Sequence, residues 1–134
     1  GLVGSEMCIR DRGMTICYDL RFPHLFRDLA LNGADLITVP SVFMHITGKD
    51  HWHSLLKARA IETGCYIVAP AQYGHYFNKR KSYGHSLIVS PWGKILKDAK
   101  TEKNIIIADI DKRQIEIARS KIPSLFINKK YKID

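Results

Sequence analysis

The sequence lacks any hydrophobic run long enough to cross a lipid bilayer. Apolar stretches such as Ile67–Ala71 and Ile105–Ala108 fall far short of the roughly 20 residues that a transmembrane helix needs. The chain also opens without the charged, apolar and small-residue pattern of an export signal. We therefore predict no membrane partner and expect a cytoplasmic location.

Cysteine is scarce, with Cys8, Cys17 and Cys65 as the three examples in 134 residues. An odd number at wide spacing provides neither a disulfide framework nor a C-x-x-C metal pair. His51 and His53 stand close together, but residues two apart on a helix face different directions and no third ligand has suitable spacing. We predict free thiols in a reducing compartment, no metal site and no cofactor.

Positive charge is in excess, since 21 Lys and Arg outnumber 13 Asp and Glu for a formal charge of +8. A concentrated basic face is typical of phosphate binding. The basic residues are scattered, however, and thicken only at 79–81 and around Lys129, Lys130 and Lys132. Without an aromatic stripe, zinc-finger spacing or recognition-helix pattern beside them, they indicate a solvated surface and no nucleic-acid partner.

Residues 1–12, GLVGSEMCIRDR, show neither helical nor strand periodicity. They resemble translated adapter sequence, so we expect a non-native leader in which Cys8 has no function. Residues 13–122 are expected to form the structured unit, and residues 123–134 an extended basic tail.

The structured unit alternates apolar runs with amphipathic segments. Pro23 suits the first turn of a helix, Gly33 and Gly64 suit helix ends, and PWG suits a hairpin turn. We predict strands at 14–17, 35–39, 65–71, 85–90, 94–97 and 104–110, and helices at 23–32, 51–63 and 111–120 with Asp111 as a cap. This order predicts right-handed β-α-β crossovers and an α/β fold.

Cys17 lies where the first predicted strand gives way to a helix. Ligands gather outside the carboxyl ends of strands in α/β sheets, and unpaired N–H groups of a helix N-terminus stabilise a thiolate. The backbone N–H of Tyr18 would also be placed to bind an oxyanion. A buried structural cysteine is the open alternative, and Cys65, which begins a buried strand, is predicted to be of that kind.

Four consecutive segments resemble the nitrilase superfamily of carbon–nitrogen hydrolases, in order and with similar spacing. They are GMTICYDLRFPHLFRDLALNGADLITVPS, FMHITGKDHWHSLLKARAIETGCYIVAPAQYG, SYGHSLIVSPWGKIL and DIDKRQIEIARSKIPS. Within the superfamily, the HW and YGHS stretches look most like the amidase branch of ω-amidase and deaminated glutathione amidase. The resemblance implies part of a four-layer α-β-β-α sandwich, namely its carboxyl-terminal half.

The resemblance also implies a mechanism, in which a glutamate base, an oxyanion-binding lysine and a cysteine nucleophile hydrolyse a small amide through a thioester. Cys17 matches the nucleophile, whereas the base and the lysine precede it in the family and only residues 13–16 of native-looking sequence do so here. Glu62 matches a later family glutamate that supports helix packing. We expect an oligomeric amidase without a cofactor, inactive as this chain alone; a non-catalytic oligomerising subunit is the alternative.

Residues flanking Cys17 and on the following loop are further candidates. Asp19 and Arg21 are predicted to form an ion pair that supports the elbow, with substrate contact as the alternative. Phe43 and Thr47, beside Gly48 on the loop after the second strand, are either substrate contacts or plain connection. His75 and His85 are predicted to be hydrogen-bonded structural residues.

Overall fold

A computed structural model describes residues 12–76 and 79–133 of the chain. Residues 1–11, including Cys8 and most of the predicted leader, lie outside the described residues, as do 77, 78 and 134. The described helices and strands are β1 Arg12–Met14, α1 Pro23–Leu31, β2 Leu36–Thr38, α2 His45–Thr63, β3 Tyr66–Ala69, β4 Leu87–Val89, β5 Ile95–Asp98 and α3 Lys112–Lys121. Short 3₁₀ turns occupy Cys17–Arg21 and Pro123–Phe126. None of the helices in this part of the chain combines the length and apolar character of a membrane span.

The five strands form one sheet in the order of the sequence. β1, β2 and β3 are parallel, and α1 and α2 are the crossovers between them. β4 and β5 continue the sheet antiparallel, joined by a turn in which Gly93 has a φ of 84°. The predicted crossovers and hairpin are therefore confirmed.

The core lies between one face of the sheet and the two crossover helices. Ile37 and Ile67, paired across β2 and β3, are fully buried there with Phe26 of α1 and Trp52 of α2. Residues that alternate with them point to the other face, where the Met14 side chain is 79% exposed. The described residues thus supply one helix layer and one sheet layer of an α/β fold.

Two predicted strands differ from the structure by more than their end residues. The first strand is Arg12–Met14 and not 14–17, although the pairing continues as the Thr15 N–H donates to the Thr38 carbonyl at 3.0 Å. Arg12 of the predicted leader is thus part of the sheet. The segment 104–110 is not a strand, because β-branched residues form a ladder only against a partner and none pairs with it in the described ranges. Ile105 is accordingly 85% exposed.

The second helix begins at His45, six residues before the predicted start at His51. The glycine at 48 led to the prediction of a loop, since glycine is a poor helix former. In the structure Gly48 is buried against Tyr83, and an added Cβ would lie 2.5 Å from the Tyr83 Cβ. A tight contact between chain segments, invisible in local sequence, therefore determines this residue.

The Gly48→Ala substitution is expected to destabilise the protein. Alanine would gain about 1 kcal/mol of helix propensity, but overpacking a tight contact costs about 1–3 kcal/mol, and a Cβ cannot rotate away as a long side chain would. We expect a lower midpoint in urea denaturation. Alanine at Lys49, an exposed neighbour on α2, is the control, and an equal or higher midpoint for Gly48→Ala would contradict the packing argument.

The carboxyl-terminal segment is anchored more firmly than predicted. Asp111 caps α3 as expected, its side chain accepting from the Arg113 N–H. The expectation of an extended tail is wrong for Pro123–Phe126, which form a 3₁₀ turn with Leu125 only 2% exposed. Arg27 of α1 holds this turn by donating to the Leu125 carbonyl at 2.6 Å, because burial of Leu125 would otherwise leave that group without a hydrogen bond.

Candidate active site

Cys17 occupies a sharp elbow between β1 and the 3₁₀ turn. Its φ is 45°, a left-handed conformation that costs a non-glycine residue of the order of 1–3 kcal/mol. Such strain persists only where the surroundings impose it, and here the Cys17 N–H donates to the Pro40 carbonyl at 3.0 Å. Cys17 begins the helical turn as predicted, but it lies three residues beyond the last residue of β1.

Asp19 supports the elbow, although not in the predicted way. Its carboxylate accepts a hydrogen bond from the Ile16 N–H at 2.9 Å and so closes the turn around Cys17. The predicted ion pair with Arg21 is not among those of the described residues. Arg21 turns away because its guanidinium stacks over the Phe43 ring at 5.3 Å and lies 3.2 Å from His51 Nδ1.

A buried arginine of α2 holds the elbow from behind. Arg59 is only 5% exposed, and its Nε donates to the Leu20 carbonyl at 3.0 Å. Glu62, one turn along, balances its charge at 3.2 Å, which agrees with the supporting role predicted for Glu62. The role of Arg59 itself was missed, because its partner lies 39 residues away in sequence.

The elbow opens on a cleft of about 480 Å³. The half-buried thiol of Cys17 forms part of its wall, with Sγ 3.8 Å from the Val42 carbonyl. The lining residues come from the carboxyl ends of β1, β2 and β3 and from the start of β4: Ile16, Cys17, Pro40, Ser41, Val42, Pro70, Ala71, Gln72 and Ser86. Within the described part of the chain, the lining contains no carboxylate and no ammonium group.

The two predicted loop candidates are placed differently from one another. Phe43 is on the loop as expected, but it is buried against Trp52, with ring centroids 4.7 Å apart. The Arg21 guanidinium packs over the Phe43 ring. Thr47 is on α2, exposed, with its hydroxyl 3.4 Å from the Met44 carbonyl. Neither residue lines the cleft.

A smaller depression of about 250 Å³ adjoins the cleft. Val42 belongs to the walls of both, and Met44, Tyr76 and Arg80 complete the smaller one. A cationic side chain, Arg80, thus lines a depression that shares Val42 with the cleft at Cys17.

Cys65, the other cysteine among the described residues, is a packing residue, as predicted. Its side chain is fully buried, and burial raises the pKa of its thiol. Sγ lies 3.1 Å from the Ala34 carbonyl, so the thiol is held as a weak donor in the core. Buried neutral thiols are unreactive, so Cys17 is the accessible thiol of the two that the structure describes.

The fold brings together a histidine cluster that sequence spacing concealed. His53 Nε2 and His85 Nδ1 each lie 3.0 Å from the carboxylate of Asp98. Burial acts to raise the pKa of Asp98, but hydrogen bonds from His53, the Lys100 N–H and His85 outweigh it and keep that pKa below its usual range. The prediction that His85 is hydrogen-bonded is correct. The sequence offers no third group at a spacing that suits His51 and His53, but the fold places His53 beside His85 and Asp98. These partners of His53 lie just before β4 and at the end of β5, far from α2 in sequence.

Comparison with known proteins places this site in a family. The Carbon-nitrogen hydrolase family profile matches residues 3–120. Deaminated glutathione amidase of Synechocystis is 49% identical over 84% of the chain, and that of Dictyostelium discoideum is 50% identical over 98%. The crystal structure of the Caenorhabditis elegans NitFhit protein superposes over 88% of the chain, with a TM-score of 0.84 and 42% identity.

These relatives are longer than the chain. It spans 42% of the Synechocystis protein, 46% of the Dictyostelium protein and 29% of the NitFhit chain. The predicted resemblance is nevertheless confirmed over residues 3–120. The α/β fold that it implies is confirmed over 88% of the chain. The chain therefore belongs to the carbon–nitrogen hydrolase family of the nitrilase superfamily.

Proposed function

We propose that Cys17 is the nucleophile of an amidase that hydrolyses a small carboxylated amide through a thioester. The observation that carries the proposal is the strained elbow, which holds one accessible thiol at the wall of a cleft. Strained backbone imposed by several hydrogen bonds is characteristic of functional residues. The family membership and the amidase relatives support the same reaction class.

The reaction follows from the groups at the elbow. The Cys17 thiolate attacks the amide carbonyl carbon, and the Tyr18 N–H, at the first turn where helical N–H groups lack an intrahelical acceptor, donates to the oxyanion. The proton that the base took from the thiol passes to the amide nitrogen, and collapse of the tetrahedral intermediate then breaks the carbon–nitrogen bond, releases the neutral amine or ammonia and leaves the acyl group on Cys17 as a thioester. Water then attacks the thioester, which yields the carboxylic acid and restores the thiol.

Two further groups are needed, a base that deprotonates the thiol and a cation that faces the oxyanion. The described lining of the cleft provides neither. We propose that both come from the part of the family domain that this chain does not include, as a glutamate and a lysine. The activity is thus assigned to the complete domain, and the 134-residue chain alone is expected to be inactive.

The substrate proposal rests on the depression that adjoins the cleft. Val42 belongs to the walls of both, and Arg80 lines the depression. An arginine recognises a carboxylate with paired hydrogen bonds. An amide with a carboxylate several bonds from its carbonyl carbon would fit this arrangement, and compounds of the deaminated glutathione type belong to that class.

The Arg80→Ala substitution is expected to raise KM for such a substrate by about 10-fold, or about 1.4 kcal/mol, because the paired hydrogen bonds of an exposed guanidinium are lost and are partly replaced by water. For an uncharged amide of similar size, KM should not change. The measurement is steady-state kinetics of the full-length protein with both substrates. Equal effects on both substrates would contradict carboxylate recognition by Arg80.

Alkylation of the full-length protein tests the proposed role of Cys17. Iodoacetamide at pH 7 should modify Cys17 faster than it modifies a simple thiol, and activity should disappear in proportion to that modification. Cys65 is the internal control, because a buried neutral thiol should react slowly. Modification of Cys17 at or below the rate of a simple thiol would refute the activated nucleophile.

We further propose that the protein is a cytoplasmic homo-oligomer. Met14 and Ile16, which are 79% and 68% exposed at the β1 edge of the sheet, support association, since exposed apolar side chains at a sheet edge mark an interaction surface. The same observation favours a second candidate, a non-catalytic subunit that acts by assembly. A turnover assay of the assembled full-length protein distinguishes the two candidates, because a non-catalytic subunit would hydrolyse no amide even when its assembly is intact.

A further inference from the structure

We propose that His53, His85 and Asp98 form a zinc site beside the catalytic cleft. The three side chains come from α2, from the segment that precedes β4 and from the end of β5. One ligand atom from each lies within 4.8 Å of the other two. This site is separate from Cys17 and does not depend on the proposed amidase reaction.

The spacing of the donor atoms is suited to zinc. His53 Nε2 lies 3.0 Å from Asp98 Oδ2, and His85 Nδ1 lies 3.0 Å from Oδ1 and 3.2 Å from Oδ2. Ligand atoms around a tetrahedral Zn²⁺, each about 2.0–2.1 Å from the ion, are separated by about 3.3 Å. The three separations, all within 4.8 Å, would reach this value through small rotations of the three side chains, with the ion between them.

Each candidate ligand is oriented by a neighbour, as ligands in metal sites usually are. The Lys100 N–H donates to Asp98 Oδ1 at 2.7 Å, and Trp52 Nε1 donates to the His85 carbonyl at 2.7 Å. The Tyr83 hydroxyl lies 3.4 Å from His53 Nδ1. In the tautomer that zinc selects, His53 Nδ1–H donates to Tyr83 and Nε2 is left free to bind.

The backbone at His85 supports the same conclusion. Its φ is 57°, a conformation that costs a residue with a Cβ of the order of 1–3 kcal/mol and persists where the surroundings require it. It carries an imidazole that stacks on Tyr83, with ring centroids 4.3 Å apart, and faces Asp98. An ion held by both histidines would compensate for this strain.

Two imidazoles and one carboxylate match the preference of Zn²⁺ for nitrogen and oxygen ligands. The histidine and aspartate side chains are 19–28% exposed, so water can complete the coordination. His85 adjoins Ser86, which lines the cleft and accepts a hydrogen bond from the Ala71 N–H at 2.9 Å. Zinc would thus clamp α2 to the ends of β4 and β5 behind one wall of the cleft.

The alternative is a hydrogen-bonded network that binds no metal, with both histidines donating to Asp98. Titration of the chelator-treated full-length protein with ZnCl₂ by calorimetry separates the two. We expect one saturable equivalent per chain, and a thermal midpoint that rises with Zn²⁺ because binding to the folded state stabilises it. Absence of saturable binding to the folded wild type would overturn the proposal.

Substitutions locate the site. His53→Gln, His85→Ala and Asp98→Asn should each weaken Zn²⁺ binding at least 10-fold, whereas His24→Gln, at an exposed histidine of α1, should leave it unchanged. His53→Gln retains an N–H for Asp98, so it guards against misfolding as the cause. Zinc binding of wild-type strength in all three cluster variants would contradict the assignment, and so would loss of binding in the His24 variant.

Discussion

Replacement of Cys17 by serine is expected to lower kcat/KM for amide hydrolysis in the full-length protein by about 10⁴-fold or more, as loss of a nucleophile does in other hydrolases that use a covalent intermediate. A hydroxyl is a far weaker acid than a thiol, so the elbow would present a neutral, poorly nucleophilic oxygen to the substrate. Steady-state kinetics with a carboxylated amide gives the measurement.

The strained backbone at Cys17 provides a control for this experiment. Glycine tolerates a φ of 45°, whereas alanine bears the same cost as cysteine, about 1–2 kcal/mol. Cys17→Gly should therefore melt at or above the temperature of Cys17→Ala while both are inactive. Inactivity in a well-folded glycine variant then reports chemistry and not unfolding, and turnover within 10-fold of wild type in any of these variants would refute the nucleophile.

Replacement of Trp52 by alanine is expected to cause the largest loss of stability, about 3–5 kcal/mol in the free energy of unfolding. Its indole is fully buried in the core against the Phe43 ring, and Nε1 donates to the His85 carbonyl at 2.7 Å. Truncation would leave a cavity and also remove the partner of that carbonyl. Urea denaturation of the full-length protein measures the change.

The chain offers a matched control, since its other tryptophan is on the surface. Trp92 is 57% exposed and lies 5.7 Å from the Lys121 ammonium, an exposed cation–π contact worth about 0.5–1 kcal/mol. Trp92→Ala should thus cost about 1 kcal/mol or less. Trp52→Phe, which keeps most of the packing but loses the hydrogen bond, should fall between the two. Equal losses at both tryptophans would contradict the structure.

The α/β architecture could be predicted because its determinants are local. Continuous apolar runs such as 65–71 predict buried strands, and Pro23 and Gly64 define where helices begin and end. Boundaries fixed by distant contacts could not be predicted in this way. The start of α2 depends on how Gly48 meets Tyr83, and the segment 104–110 has strand-forming residues but no partner strand in the described ranges.

The candidate site shows the same division. The elbow at Cys17 follows from a strand, a thiol and a helical turn in succession, which the sequence displays directly. The support from Arg59 and the meeting of His53 with His85 and Asp98 join residues 13–45 positions apart, so no spacing rule reveals them. Opposite charge at close spacing is also a poor guide, because Asp19 and Arg21 are two residues apart but bind other partners.

Mass spectrometry of an acid-quenched reaction tests the central claim most directly. The full-length protein is mixed with an excess of a carboxylated amide, quenched within the first turnovers, digested and analysed for the peptide that contains Cys17. The account predicts that this peptide gains the mass of the acyl group and loses it on treatment with hydroxylamine, as a thioester does. Turnover of the amide without acylation of Cys17, or with a stable acyl group on another residue, would contradict it.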